Sequence, residues 1–292
     1  MELRVLRSFL ESVRQGNITK ASQILNVTQP TMSRQLKELE EELGEKLYQR
    51  SNYTVVLTPA GELFKKHAED IVGMVDKAIL DIRAAKEDEL KGPVTIGCAQ
   101  SENIKYLARC IKAVQKEYPG MQFDLYDGDS ERVVEKLDKG IIDFAVIVEN
   151  VDLEKYNCIT VPAVDTWGVV MRSDSPLAMK RRIELQDLIK LPIICSRQSL
   201  KSDQPKWFGD RMKEMHIVAT TDLSYNGSIL VKEGIGYLLT FKGLVDVSPR
   251  SGLCFRPLYP RLTSSMHIIW RKEQQFTPAA AVLLNKMYAL KA

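Results

Sequence analysis

The sequence predicts three successive parts: a small helical domain that ends in a β-hairpin, a long helix, and a two-lobed α/β domain. Three observations support this prediction. Apolar residues recur at helical spacing through residues 3–43, and a narrower apolar stripe continues through residues 64–82. From residue 94 onward, short apolar strands alternate with amphipathic helices. A chain of 292 residues is long enough for two or three domains.

The composition is that of an ordinary soluble protein, with 45% hydrophobic and 27% charged residues. No apolar run approaches the roughly 20 residues that span a bilayer. The first residues, Met1–Arg4, enter an amphipathic pattern directly, without the apolar segment of a signal peptide. We therefore expect a cytoplasmic protein with no membrane partner.

Charge and cysteine content exclude little by themselves. The net charge is +3, and residues 1–91 hold 14 Lys and Arg against 15 Asp and Glu, a net charge of −1. A nucleic-acid-binding function must therefore rest on where the charges lie. The five cysteines are scattered and odd in number, so we expect reduced thiols rather than disulfides or metal ligands.

The first elements form a helix-turn-helix pattern. An amphipathic first helix ends at Gly16-Asn17. We expect Thr19 to cap a second helix, and Thr28 to cap a third helix with Pro30 in its first turn. The turn between these helices, at Asn26-Val27, is short, as in a helix-turn-helix.

The third helix has two contrasting faces and is stopped by Gly44. The apolar face comprises Met32, Leu36, Leu39 and Leu43. The opposite face offers groups suited to base edges and phosphates, and it comprises Gln29, Pro30, Ser33, Arg34 and Lys37. A merely solvated polar face is the alternative. The acidic cluster, Glu38 and Glu40 to Glu42, would repel phosphate, so we expect it to be solvated and to point away from DNA.

A short hairpin follows the third helix. Lys46–Tyr48 and Val55–Leu57 are predicted strands around an uncharged turn at residues 51–54. A hairpin in this position is the wing of a winged helix-turn-helix, and Arg50 at its base is placed to meet phosphate. We predict that Gln29, Ser33 and Arg34 read bases, whereas Thr31, Lys37 and Arg50 mainly hold phosphates.

Several runs in this segment resemble the LysR-type transcriptional regulators: GNITKAS from Gly16, VTQPTMSRQL from Val27, LEEELG from Leu39, LYQR from Leu47 and LTPAG from Leu57. The resemblance covers about 60 residues almost without gaps. It implies an oligomer, a homodimer or homotetramer, that binds an inverted repeat in double-stranded DNA. It also implies a small-molecule effector and RNA polymerase as a partner. The wing tip at residues 51–54 departs from the family pattern, because it carries no charge whereas the family's wing tip is usually basic.

A long helix is predicted to begin at Thr58-Pro59. Its apolar stripe consists of Phe64, Ala68, Ile71, Val75, Ala78 and Ile82. Because this heptad-like stripe is narrow, we expect a dimerisation seam, which the resemblance also implies, formed by Phe64, Ile71, Val75 and Ile82. A helix packed only on its own domain is the alternative. The charged stretch at residues 86–93 is a predicted hinge.

The remaining chain reads as two strand–helix series with mainly parallel sheets. Predicted strands lie at 94–97, 123–126, 142–148, 167–171, 192–195, 217–221, 236–240 and 266–270, and a last helix lies at 279–290. This layout resembles the family's sensor domain, which is similar to periplasmic solute-binding proteins, and the last strand and helix would return to the first lobe. We expect domains at 1–60, 61–91 and 92–292, with lobe I about 92–161 and 266–292, and lobe II about 162–265.

A ligand site is expected where the strands of the two lobes end, because ligands of α/β sheets bind at carboxyl ends of strands and at helix N-termini. The family resemblance places the effector there too. The predicted ligand-binding residues are Ala99, Gln100, Ser101, Ser130, Ser196, Arg197, Gln198 and Asn226. Ala99 stands where the family often has a hydroxyl. Arg197 in the cleft would favour an anionic metabolite, whereas the alternative for it is a solvated loop residue.

Catalysis is not indicated. The three histidines, His67, His216 and His267, are far apart and lie in no catalytic or metal-binding motif. No P-loop, dinucleotide fingerprint or nucleophile elbow occurs, and Gly234-Ile235-Gly236 precedes a strand, the wrong order for a dinucleotide site. A solute-binding protein alone would leave the first 90 residues unexplained. We expect no catalytic residue, no metal and no cofactor.

Overall fold

A computed structural model describes residues 1–49, 55–86, 93–148 and 152–291 of the chain. The chain divides into two compact units, Met1–Ile82 and Arg83–Ala292. The first unit contains α1 (Leu3–Gln15), α2 (Ile18–Ile24), α3 (Gln29–Leu43) and most of α4 (Pro59–Lys86), whose residues 83–86 fall in the second unit. No helix among the described residues has both the length and the apolar character that crossing a membrane requires.

The short helices of the first unit pack on one apolar core. Phe9 and Met32 are fully buried there, together with Leu6, Leu36 and Leu39. Gly16 and Gly44 end α1 and α3 in the left-handed conformation that glycine adopts without strain. The predicted helix-turn-helix elements are therefore present.

The cap of the second helix differs from the prediction. Asn17, not Thr19, is the N-cap, and its side-chain oxygen accepts a hydrogen bond from the backbone N–H of Lys20 at 3.0 Å. Asparagine in an extended conformation satisfies a first-turn amide well, so the helix begins two residues early and includes Thr19. Thr28 caps α3 as predicted, accepting from the N–H of Thr31 at 3.3 Å.

The two strands predicted for the wing meet as one antiparallel bridge, Tyr48 to Leu57. Hydrogen bonds from Gln49 N to Val56 O (2.8 Å) and from Thr58 N to Leu47 O (3.0 Å) flank this bridge. The predictions for Arg50 and for the turn at residues 51–54 lie outside the described residues.

The start of α4 is fixed by two contacts. Thr58 caps the helix by accepting from the N–H of Gly61 at 3.0 Å, as the Thr58-Pro59 pair predicts. Gly61 permits a close approach to the wing, because a Cβ at this position would lie 2.1 Å from the carbonyl oxygen of Leu47.

The second unit contains ten strands: β1 (Pro93–Cys98), β2 (Gln122–Asp127), β3 (Phe144–Ile147), β4 (Tyr156–Arg172), β5 (Ile183–Glu184), β6 (Pro192–Cys195), β7 (His216–Thr220), β8 (Tyr237–Phe241), β9 (Leu253–Tyr259) and β10 (Thr263–Arg271), among the described residues. Its α-helices are α5 (Lys105–Glu117), α6 (Ser130–Asp138), α7 (Leu185–Leu188), α8 (Asp203–Phe208), α9 (Ser224–Lys232) and α10 (Pro278–Lys291). The strands β5 and β9 were not predicted.

Lobe I has the strand order β2-β1-β3-β10-β4, parallel among the first three strands and antiparallel at β10. Phe144 and Val146 pack on the side of α5 and α10, whereas Ala145 and Ile147 pack on the side of α6. Burial on both faces explains why this strand is nearly all apolar. The last strand and the last helix do return to lobe I, because β10 inserts between β3 and β4.

Lobe II is built around the C-terminal end of β4. Residues 156–166 of this strand pair with β10 in lobe I, and Trp167–Val170 pair with β8 in lobe II. Strands β6, β7 and β8 are mutually parallel, while β8 and β9 flank β4 in antiparallel orientation. The sequence predicts only the second half of β4, whereas a single strand in fact connects the two lobes.

Candidate functional site

The polar face of α3 is exposed to solvent. Gln29, Pro30, Thr31, Arg34 and Lys37 are exposed, and Ser33 is half-buried. The side-chain amide of Gln29 donates to Ser33 Oγ at 2.7 Å. This is the side of the helix that the sequence predicts for base and phosphate contacts.

Among the described residues, the two cations of this face have weak partners. Arg34 lies 3.4 Å from Glu38, and Lys37 lies 3.5 Å from Glu41, each one helical turn away. These four side chains are between 60% and 76% exposed, and such surface pairs contribute at most about 1 kcal/mol. The pairs can therefore exchange for phosphate or base contacts at little cost.

Glu40 corrects the expectation of a solvated acidic cluster. Its residue exposure is only 9%, and its Oε1 accepts from the backbone N–H groups of Leu47 (2.8 Å) and Tyr48 (3.2 Å). Its Oε2 pairs with Lys46 at 2.6 Å. Glu40 follows Leu36 by four residues, so helical geometry turns it toward the core side and against the wing. This spacing was the signal in the sequence that could have revealed it.

The predicted seam on α4 is divided between two environments. Phe64 packs edge-on against Phe9 with ring centroids 5.0 Å apart, and thus belongs to the core of its own unit. Phe64 is half-buried there, so its place in a dimer seam stays a prediction. Farther along, Ile71 is 38% exposed and Ile82 is 62% exposed, while Val75 is half-buried. These three residues leave apolar surface that a helix–helix seam could bury.

A cleft lies between the two lobes and encloses about 70 Å³ of free space. Five of the eight predicted ligand residues line it: Ala99, Gln100, Ser130, Ser196 and Gln198. Asp129, which precedes Ser130 at the start of α6, lines the cleft as well. Further lining comes from residues that the sequence does not single out: Gly128, Val148, Trp167, Thr221, Asp222, Ser224, Leu238, Leu239, Thr240, Phe241 and Leu244.

Three predicted ligand residues are absent from the lining of this cleft: Ser101, Arg197 and Asn226. Ser101 is 5% exposed, and its hydroxyl donates to Asp165 Oδ2 at 2.6 Å. Arg197 and Asn226 are exposed and do not line the cleft. Asn226 lies two residues after Ser224, which is more than half a helical turn, so the two face different sides of α9.

The electrostatic character of the cleft differs from the expected one. Two carboxylates, Asp129 and Asp222, lie among the lining residues, and no lysine, arginine or histidine among the described residues does. Arg132 lies outside the lining, 3.7 Å from Asp129 and 3.5 Å from Asp222. The anionic ligand was expected because Arg197 would lie in the cleft, and Arg197 is not among the lining residues.

An aromatic pair forms one wall of the cleft. Trp167 and Phe241 are both buried, with ring centroids 4.3 Å apart. The indole N–H of Trp167 donates to Ser264 Oγ at 2.9 Å, and Ser264 donates to Asp203 Oδ2 at 2.8 Å. This chain of hydrogen bonds fixes the indole where β4 enters lobe II.

Burial raises the pKa of three ionisable groups near the cleft. Burial raises the pKa of Asp165, although hydrogen bonds from Ser101, Asn103 and the Glu102 backbone oppose the rise. Burial also raises the pKa of Cys98 to about 12 and that of Cys195 to about 11. The thiols of these two residues are therefore protonated near neutral pH and poorly reactive.

Comparison with known proteins gives consistent matches along the chain. Residues 3–62 match the family described as "Bacterial regulatory helix-turn-helix protein, lysR family", and residues 87–288 match "LysR substrate binding domain". The HTH-type transcriptional regulator YtlI of Bacillus subtilis is 31% identical over 264 residues, which cover 88% of this chain and 83% of that protein.

Solved structures show the same fold. The crystal structure of CbnR, a LysR family transcriptional regulator, superimposes with a TM-score of 0.75 and 20% identity over the whole of both chains. Full-length CbnR in complex with its target DNA gives a TM-score of 0.72 at 20% identity, covering 99% of this chain and 100% of that one.

Proposed function

This chain belongs to the LysR family of transcriptional regulators, and we propose that it binds an inverted-repeat operator as a homodimer or homotetramer. It is a DNA-binding regulator with an effector-binding domain, not an enzyme. The observation that carries the proposal is the exposed polar face of α3, supplied with weakly paired cations. We further propose RNA polymerase as a partner of this regulator.

The residues of α3 divide into two roles. Gln29, Ser33 and Arg34 read base edges in the major groove, where arginine binds guanine and glutamine binds adenine with paired hydrogen bonds. Thr31 and Lys37 mainly hold phosphates, which fix the register of the protein on the duplex. Arg50 is proposed for a phosphate contact from the sequence alone.

The test compares three alanine variants on operator fragments, selected from random duplexes, and on unselected DNA. Arg34→Ala removes a base contact worth about 1–3 kcal/mol of discrimination, so the difference in binding affinity between operator and unselected DNA becomes smaller. Lys37→Ala weakens binding to both. Arg14→Ala is the matched control, because Arg14 is also 76% exposed and also pairs with a glutamate of its own helix. Arg34→Ala with undiminished discrimination contradicts the assigned face.

Dimerisation through α4 supports recognition of an inverted repeat, since two linked half-site contacts bind far more tightly than one. The exposed apolar residues Ile71 and Ile82, with the half-buried Val75, form the proposed seam. Exposed apolar stripes of this kind are typical of helix pairing.

The effector is proposed to be a small polar metabolite in the cleft between the lobes. The family match of residues 87–288 to a substrate-binding domain supports this location. The aromatic wall of Trp167 and Phe241 offers apolar contact, whereas Ser130, Ser196 and Thr221 offer hydrogen-bonding groups. Nine of the 17 lining residues have polar side chains, which fits a polar ligand.

A further inference from the structure

Two glutamine side chains cross the cleft in opposite directions. Gln100 follows β1 in lobe I, and its Oε1 accepts from the backbone N–H of Ser224, the first residue of α9 in lobe II, at 3.0 Å. Gln198 follows β6 in lobe II, and its Oε1 accepts from the N–H of Ser130, the first residue of α6 in lobe I, at 2.9 Å. Each lobe thus supplies a glutamine oxygen to a helix N-terminus of the other.

Both amides need an acceptor from outside their own helix. The first N–H groups of an α-helix have no carbonyl partner within that helix. Leu223, the N-cap of α9, has no side-chain oxygen to offer. Asp129 caps α6, but its carboxylate accepts from the N–H of Arg132 instead of that of Ser130. The two glutamines therefore complete helix caps that the local sequence leaves open.

The same turn of α6 makes further contacts with lobe II. Arg132 lies 3.5 Å from Asp222, and Glu131 lies 3.7 Å from Lys201. These side chains are between 38% and 78% exposed, so the pairs are screened by solvent and contribute little. The half-buried glutamine bonds are the more specific connection between the lobes.

We propose that Gln100 and Gln198 form a reciprocal latch that holds the two lobes together before any effector binds. An effector in this cleft then competes with the latch and must itself carry oxygen acceptors to satisfy the Ser130 and Ser224 amides. The part of the inference that concerns the effector rests on the proposed function, whereas the latch does not. Removing the latch lets the lobes separate more often.

Hydrogen–deuterium exchange of the ligand-free full chain, read at single residues, tests the latch. Gln100→Ala is expected to speed exchange at the Ser224 amide about fivefold, the effect of losing a typical helix cap. Because the two bonds open together, the same variant also speeds exchange at Ser130, and Gln198→Ala has the mirror-image effect. Gln100→Glu keeps an acceptor oxygen and restores slow exchange at both amides.

Gln186→Ala is the matched control, since Gln186 is exposed, donates to Glu184 at 3.0 Å and lies outside the cleft. Unchanged exchange at Ser130 and Ser224 in both alanine variants overturns the proposal. Faster exchange confined to the directly bonded amide overturns it too, because the glutamines would then be caps without being a latch. Neither outcome affects the operator-binding test, so the two proposals fail separately.

Discussion

Replacing Glu40 with alanine removes the only described side chain that links the third helix to both backbone amides of the wing base. In the native chain its carboxylate accepts from Leu47 N at 2.8 Å and from Tyr48 N at 3.2 Å. Leu47 is 1% exposed, so its amide would be left without an acceptor and shielded from water. The alanine variant is therefore expected to loosen the wing.

The size of the effect follows from these contacts. A hydrogen bond to a charged group contributes about 1.5–3 kcal/mol, and the shorter, buried bond to Leu47 lies within that range. The longer bond to the half-buried Tyr48 adds about 1 kcal/mol. Lys46 is 69% exposed, so its ion pair adds little. The expected loss is about 3 kcal/mol, or about a hundredfold in local opening.

Native-state hydrogen exchange of the Leu47 and Tyr48 amides in the intact chain measures this loss. Glu40→Gln keeps one acceptor oxygen and should lose only about 1 kcal/mol. Glu41→Ala is the control, because Glu41 is 61% exposed and its side chain pairs with Lys37 at 3.5 Å on the surface of α3. If Glu40→Ala exchanges no faster than Glu41→Ala, the assigned role of Glu40 is wrong.

The remaining predictions concern assembly and pH. The double variant Ile71→Asp with Val75→Asp should sediment as a smaller species and bind operator more weakly, and a fully dimeric double variant would place the interface elsewhere. Because the pKa of Asp165 is raised above 3.8, the native state keeps a proton that the unfolded chain has lost, and the free energy of unfolding falls as pH rises from 3.8 through the raised pKa. In the Asp165→Asn variant, the free energy of unfolding should depend less on pH over this range. Urea unfolding followed by tryptophan fluorescence measures this, because all three tryptophans lie in the second unit. An unchanged pH dependence of the free energy of unfolding contradicts the assignment.

Elements with a strong local pattern could be predicted from the sequence. The faces of α3 followed from the spacing of Met32, Leu36 and Leu39, and its ends followed from Thr28 and Gly44. The apolar run of β3 predicted a strand buried on both faces. In each case the pattern that predicts the element lies within a short run of consecutive residues.

Features that depend on distant neighbours could not be predicted in the same way. Phe64 fits a heptad stripe, but contact with Phe9 places it in the core of its own unit. Residues at the strand ends were expected to face the cleft, yet Ser101 is held by Asp165 instead. The crossing of Gln100 and Gln198 depends on how the lobes meet, which no local pattern encodes.

The most direct test of the central claim is selection of DNA from a random duplex pool by the full-length protein. A dimer that presents one α3 per half-site should enrich an inverted repeat, with half-site centres one helical turn apart or a multiple of it. The sequences that Arg34→Ala enriches should show no base preference at one position, the same position in both half-sites. Enrichment of an asymmetric site, or of an identical motif by wild type and Arg34→Ala, would contradict the account.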